Sequence, residues 1–145
     1  MKLFSSELES TFKNKTKMNK LVIDAANEKI FLMIITNKDI YNITYENTKI
    51  NYEKLTTIIN DFLRNHSLKM SNIKKIYVNR GPGSFAGIRN SLSIVKAFYI
   101  SIKVDYYCFS LLDFKGEEDI RYENIPNLCD KYKIKKNLIN PIYSS

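Results

Sequence analysis

Histidine, tryptophan, cysteine and the chain-breaking residues are all scarce in this 145-residue chain, which has one His, no Trp, two Cys, four Gly and three Pro. A single histidine, His66, cannot supply a His-based metal centre from one chain. Cys108 and Cys129 stand outside any CxxC spacing and have no histidine cluster beside them. Within Tyr106-Tyr107-Cys108-Phe109, Cys108 reads as a buried, reduced thiol. No apolar run approaches membrane-spanning length and no signal peptide is visible. No membrane partner is therefore expected, and the chain is read as cytoplasmic.

What is present is the composition of a globular domain: 44% hydrophobic and 12% aromatic residues. The length suffices for one domain with a genuine core. Net charge is +8 and the pI is near 9.4. A bias toward Lys, Asn, Ile and Tyr accompanies AT-rich codon usage, so the preferred reading of this charge is ordinary solvated lysines. A basic surface would also aid encounter with RNA or an acidic protein.

Residues 1–17 are polar and weakly periodic and read as a flexible N-terminal extension, with a domain start at Met18. Leu21 to Ala25, Lys29 to Thr36 and Ile40 to Thr44 read as three strands joined by short turns, an antiparallel meander. The period then changes. Leu55, Ile58, Ile59, Phe62 and Leu63 form one helical stripe, with Asn51 as expected N-cap. Ile73 to Asn79 is a fourth strand. A second helix carries Ile88, Leu92, Val95, Tyr99 and Ile102 on one face, and Asp105 to Ser110 is a fifth strand. The order βββαβαβ predicts an α/β fold with a mixed sheet flanked by helices, the arrangement of a ribonuclease-H-like layer or one lobe of an actin-like fold. The domain reading is 1–17 extension, 18–113 first lobe and 114–145 reduced second lobe or C-terminal tail. Pro141-Ile142-Tyr143 reads as an extended piece packing back on the domain.

Between the fourth strand and the second helix lies Gly81-Pro82-Gly83-Ser84-Phe85-Ala86-Gly87-Ile88-Arg89. Strand, glycine turn and helix can present backbone N–H groups to an anion, or can let a helix approach a sheet closely. The Walker pattern is absent. GxGxxA is matched, but Pro82 removes a donor and no acidic residue stands where a ribose would need one. Asp24 is well placed on the first strand for Mg²⁺, yet the fourth strand ends in Asn79 and Glu53 lies in the first helical turn, so two-metal nuclease chemistry lacks its carboxylates. Ser84 has no His or Lys base. No catalytic residue, metal or cofactor is expected; Asp24 is kept as a degenerate nucleotide or metal position.

The glycine motif resembles the GPGSF-T-GLR signature of the TsaB (YeaZ) family. Val95-Lys96-Ala97-Phe98 is similar to its A-K-x-[LF] step, Ile23-Asp24-Ala25-Ala26 to its opening I-D-T-S, Asn51-Tyr52-Glu53-Lys54-Leu55 to its H-S-E-x-L, Phe109-Ser110-Leu111-Leu112 to its strand and S-S-L step, and Pro141-Ile142-Tyr143 to its terminal P-x-Y. The resemblance covers roughly Asn19 to Asp113 and the last few residues. It implies an actin-like (ASKHA) fold and a place in tRNA threonylcarbamoyladenosine modification, as the noncatalytic dimerisation paralogue of TsaD. A TsaD-like catalytic subunit is the implied heterodimer partner, with a TsaE-like ATPase beside it. The chain would meet tRNA indirectly, through that complex. The superfamily is also called glycoprotease or peptidase M22, but no protease residues are visible. The chain departs from the pattern at Ala25, Ala26, Asn51, Tyr52 and Ala86, and in the shortness of its second lobe.

The resemblance places the partner-facing surface on two helices, here residues 52–65 and 88–103. Tyr52, Glu53, Thr56 and Asn60 from the first and Arg89, Asn90, Ser93 and Lys96 from the second are the expected partner-binding residues, for TsaD or for a second copy of this chain. Gly81, Pro82, Gly83, Ser84, Phe85 and Gly87 are the expected structural motif. Two other readings are a degenerate ATPase or nuclease of the same fold using Asp24, and a basic RNA-binding module.

Overall fold

A computed structural model describes residues 18–143; the expected extension at 1–17 lies outside the described residues. Five strands form one sheet: β1 (Lys20–Asp24), β2 (Lys29–Ile35), β3 (Ile40–Glu46), β4 (Lys75–Asn79) and β5 (Asp105–Phe109). Their spatial order is β3-β2-β1-β4-β5. The first three pair antiparallel, and β1, β4 and β5 pair parallel. The expected βββαβαβ order is thus observed as a mixed sheet.

Burial follows strand position. Central β1 is buried on both sides, which is why it reads as continuous apolar sequence. Edge strand β3 alternates exposed and half-buried residues along its length. Alternate side chains feed two separate cores. One face carries Leu21, Ile23, Ile30, Leu32, Ile76, Val78, Tyr106 and Cys108. The other carries Val22, Met33, Tyr77 and Phe109.

The helices α1 (Lys49–Glu53), α2 (Leu55–Asn65) and α3 (Phe85–Ile102) cover the first face. All five residues of the expected α2 stripe are buried. Three local expectations are corrected. The N-cap is Thr48, whose hydroxyl accepts from the Asn51 N–H, while Asn51 donates its side-chain amide to the Glu46 carbonyl. The helix of 52–65 is two pieces that meet at Lys54, so the chain turns between α1 and α2. Ile102 is exposed, as the last residue of α3.

Residues 114–143 lie against the same sheet. A 3-10 turn at Tyr122–Asn124 and α4 (Ile125–Lys131) bring Phe114, Ile125, Leu128 and Cys129 onto the second face. Ile134 packs on that face, whereas Ile139 packs on the helical face. Between them Lys136 bridges to Tyr107 and the Asn137 side chain bonds both Asp105 and the Tyr106 N–H. The chain therefore wraps around the free edge of β5 and removes it as a pairing template. As expected, Pro141-Ile142-Tyr143 returns to the domain: Ile142 donates to the Arg80 carbonyl and Tyr143 bridges to Gly83.

Both cysteines are free and buried, as expected for Cys108. Burial pushes each thiol up to about 12 from an ordinary value of 9.0. A raised folded-state value keeps its stabilising contribution below pH 9 and loses it as pH rises toward 12, because the unfolded thiols ionise first. Stability should therefore fall above pH 9 by about 1.4 kcal/mol per pH unit for each thiol. Urea melts between pH 8 and 11 will show this as a falling midpoint, with a shallower fall in a Cys108→Ala/Cys129→Ala variant.

Candidate functional site

The glycine motif follows β4 and is built from the backbone outward. Asn79, 5% exposed, accepts the Gly81 N–H on its side-chain oxygen. Gly81 has φ +111° and faces the Ile142 carbonyl, which a Cβ would strike. A Cβ at Gly83 would overlap the Ala26 carbonyl, and one at Gly87 would overlap the Ala25 carbonyl and crowd the Tyr52 ring. The Ser84 N–H donates to the Ala26 carbonyl at 2.9 Å. The glycines thus bring the start of α3 against the end of β1.

The helix N-terminus is capped from within the motif. Ser84 caps it by accepting from the Gly87 N–H at 3.2 Å, and its hydroxyl lies 3.0 Å from the Tyr52 hydroxyl. Tyr52, expected to face a partner, is half-buried and ties α1 to this cap. Arg80, next to the motif, forms a two-pronged bond with Asp113 at 2.6 and 3.4 Å and donates to the Asn140 carbonyl at 3.0 Å.

Asp24 is 3% exposed. Its carboxylate accepts the Ala26 N–H and the Asn27 side-chain amide, each at 3.0 Å, and the Tyr122 hydroxyl at 2.7 Å. Burial and the Asp24 charge raise the Tyr122 pKa, so the phenol remains a donor. Three bonds to one carboxylate close the β1–β2 turn and pin residue 122 to it. Beside this turn is an open depression of about 950 Å³, walled by Ala26, Asn27, Lys29, Gly83, Ser84 and Tyr122. Among the described residues no group of three or more His, Cys, Asp or Glu is arranged to hold a metal ion. No helix among them is long and apolar enough to cross a membrane.

The remaining expected partner residues divide by burial. Glu53, Thr56, Arg89, Ser93 and Lys96 are exposed; Asn60 and Asn90 are half-buried. Along α3, Arg89, Ser93, Lys96 and Ala97 share an outward face with Phe85 and Ile100, which are 55% and 62% exposed. The guanidinium of Arg89 sits 6.0 Å from the Phe85 ring centre. Sequence reasoning assigned Phe85 to the turn and passed over Ile100. Helical phase from Arg89, Ser93 and Lys96 would have found both. Tyr122 carried no such signal: it is 98 residues from Asp24 in a stretch without periodicity.

Residues 46–117 match the family model described as TsaD, tRNA N6-adenosine threonylcarbamoyltransferase. The chain is 25% identical over 119 residues to the tRNA threonylcarbamoyladenosine biosynthesis protein TsaB of Buchnera aphidicola subsp. Schizaphis graminum. That match covers 82% of this chain and 52% of the relative, so the chain spans about half the length of the curated protein it matches. Its fold is similar to two solved structures, YeaZ from Pseudomonas aeruginosa and a protein described as having similarity to peptidase YeaZ from the same organism. Each has a TM-score of 0.59 and 18% identity, over 63% of this chain and 43% of the other. The chain is thus similar in sequence to TsaB and, over residues 46–117, to the TsaD family model, and its fold is similar to that of the YeaZ structures; together these support a TsaB/YeaZ assignment.

Proposed function

We propose that the chain is a noncatalytic dimerisation subunit in tRNA threonylcarbamoyladenosine biosynthesis, pairing with a TsaD-like catalytic subunit. A TsaE-like ATPase would join that pair, and tRNA would be reached through the complex. The observation that carries this reading is the outward face of α3, where Phe85, Arg89, Ser93, Lys96, Ala97 and Ile100 stand together in solvent. Two large apolar side chains flank small residues, so a second helix can approach closely and bury both. Arg89 and Lys96 suit an acidic partner surface, with Glu53 on α1 as the counter-charge. The rigid elbow supports this role, since it fixes the start of α3 to β1 and α1.

The chemistry of the elbow points the same way. Ser84 is committed to Tyr52 and the helix cap, Asp24 to three internal donors, and both thiols are buried. A nucleotide or Mg²⁺ at Asp24 would have to displace Tyr122.

The test is co-purification with the TsaD-like subunit of the same cell, followed by titration. Wild type will form a complex. Arg89→Glu combined with Ser93→Arg will weaken it about thirtyfold, the scale of a lost central contact. Lys131→Glu, on α4 at the opposite face of the sheet, will leave it unchanged. No complex with wild type, or an unaltered one with the double variant, overturns this interface. Sedimentation of the chain alone reports whether the same helices pair two copies. Saturable ATP–Mg²⁺ binding lost in Asp24→Ala would favour the degenerate ATPase instead. Strongly salt-dependent tRNA affinity without TsaD would favour the RNA-binding module.

A further inference from the structure

Four of the large apolar side chains exposed among the described residues lie at one pole of the sheet, beyond the ends of β4 and β5: Phe85, Leu111, Leu112 and Tyr143. The sequence brings them there by three routes. Phe85 opens α3 after the glycine motif, Leu111 and Leu112 belong to the 3-10 turn that follows β5, and Tyr143 lies in the returning C-terminal segment. Arg80 ties these pieces together. Its guanidinium bonds the carboxylate of Asp113, the residue after Leu112, and the Asn140 carbonyl, while its own carbonyl accepts from the Ile142 N–H. Tyr143 then reaches Phe85, with ring centres 4.7 Å apart.

The two leucines stand on a fixed support. The Ser110 hydroxyl accepts from the Leu112 N–H, and the Asp113 carboxylate accepts from the Ser110 N–H. Leu111 and Leu112 are nonetheless 52% and 61% exposed. The Arg80–Asp113 pair beneath them is closed at 2.6 Å, so the cation that joins these loops is already neutralised. Apolar surface of this kind fits a protein; a nucleic-acid backbone would need unpaired cations.

We propose that this pole extends the α3 interface proposed above, on which it rests, and is covered by an uncharged, apolar surface of the same TsaD-like subunit. The available area favours this. α3 has 18 residues, so one face of it is a strip about 27 Å long and about 10 Å wide. A stable interface takes about 800 Å² from each partner. The helix by itself falls well short, and a partner has to reach past its end. At the start of α3 the neighbouring surface is this pole. Phe85 belongs to both: it meets the Arg89 guanidinium on the helix and the Tyr143 ring beyond it. The two surfaces therefore join at one side chain.

The test is calorimetric titration of the TsaD-like subunit with the full chain and its variants. Leu112→Ser will weaken binding at least about tenfold, the scale of a leucine buried on association. Tyr143→Ala will weaken it by a comparable factor. Ile40→Ser removes a 49% exposed side chain at the far pole of the sheet and will leave binding unchanged. The urea midpoint of Leu112→Ser will match wild type, because that side chain is exposed in the free chain. Full-strength binding by Leu112→Ser, with Arg89→Glu/Ser93→Arg still weakened, overturns this extension and leaves the α3 interface standing. No complex with wild type overturns both. A wild-type dimer in sedimentation that Leu112→Ser abolishes while sparing the complex would assign the pole to a second copy of this chain, and the proposal would fail. Leu112→Ser decides the matter even where Tyr143→Ala loosens the C-terminal segment.

Discussion

Gly87→Ala will destabilise the chain by about 3 kcal/mol, the upper part of the range for forcing a methyl group into packed structure. The added Cβ meets the Ala25 carbonyl on one side and the Tyr52 ring on the other. The first obstacle is backbone immediately after β1, the central strand of the sheet, and cannot rotate away. Relief requires α3 to lift from β1, which would also pull Ser84 from the Ala26 carbonyl and from Tyr52. Urea unfolding will report the loss as a lower midpoint. The matching control is Gly116→Ala. Gly116 has φ +87° and nothing within 4 Å of a Cβ. Only conformational strain acts there, and the cost should be about 1 kcal/mol. Equal effects at the two positions would show that close approach is not what the motif provides.

Removing residues 114–145 will abolish the native monomer. The second face of the sheet carries Val22, Met33, Tyr77 and Phe109, each no more than 4% exposed with the C-terminal segment in place. Without Phe114, Ile125, Leu128 and Cys129 those four side chains face water, along with half-buried Phe31 and Ile35. At about 25 cal/mol per Å² of apolar surface, exposing several large side chains exceeds the net stability of an ordinary domain. The truncation also takes Tyr122 from Asp24 and uncovers the edge of β5. The 1–113 fragment is expected to aggregate or to lack near-UV dichroism. A folded, monomeric fragment with a two-state urea transition would mean that 114–145 is a dispensable tail, and the core would then have to close by another route.

The proposed interface and the elbow are coupled through one side chain. Tyr52 was expected at the partner surface, and the structure has it holding the cap of α3. The surface proposed for a partner therefore centres on exposed Phe85 and Ile100, with exposed Glu53 and Thr56 at its border.

Local pattern alone carried the element order, the α2 stripe and the burial of Cys108, because period-2 and period-3.6 alternation are written in adjacent residues. It also carried the family resemblance, since the spacing of Gly81, Gly83 and Gly87 is local. It did not carry the N-cap, because Thr48 and Asn51 are both good capping residues and only the turn out of β3 selects between them. It did not carry the use of residues 114–143 either. Their apolar side chains are sparse and aperiodic, and they became a layer only through a surface made by strands far earlier in the chain. Asp24 is the clearest case. The sequence placed a carboxylate at a strand end, where a metal site would want one; the fold brought Tyr122 to it across 98 residues and turned it into a clasp. Chain neighbours determine which elements form, whereas the partners of a buried polar group depend on contacts that exist only once the sheet and both of its faces are assembled.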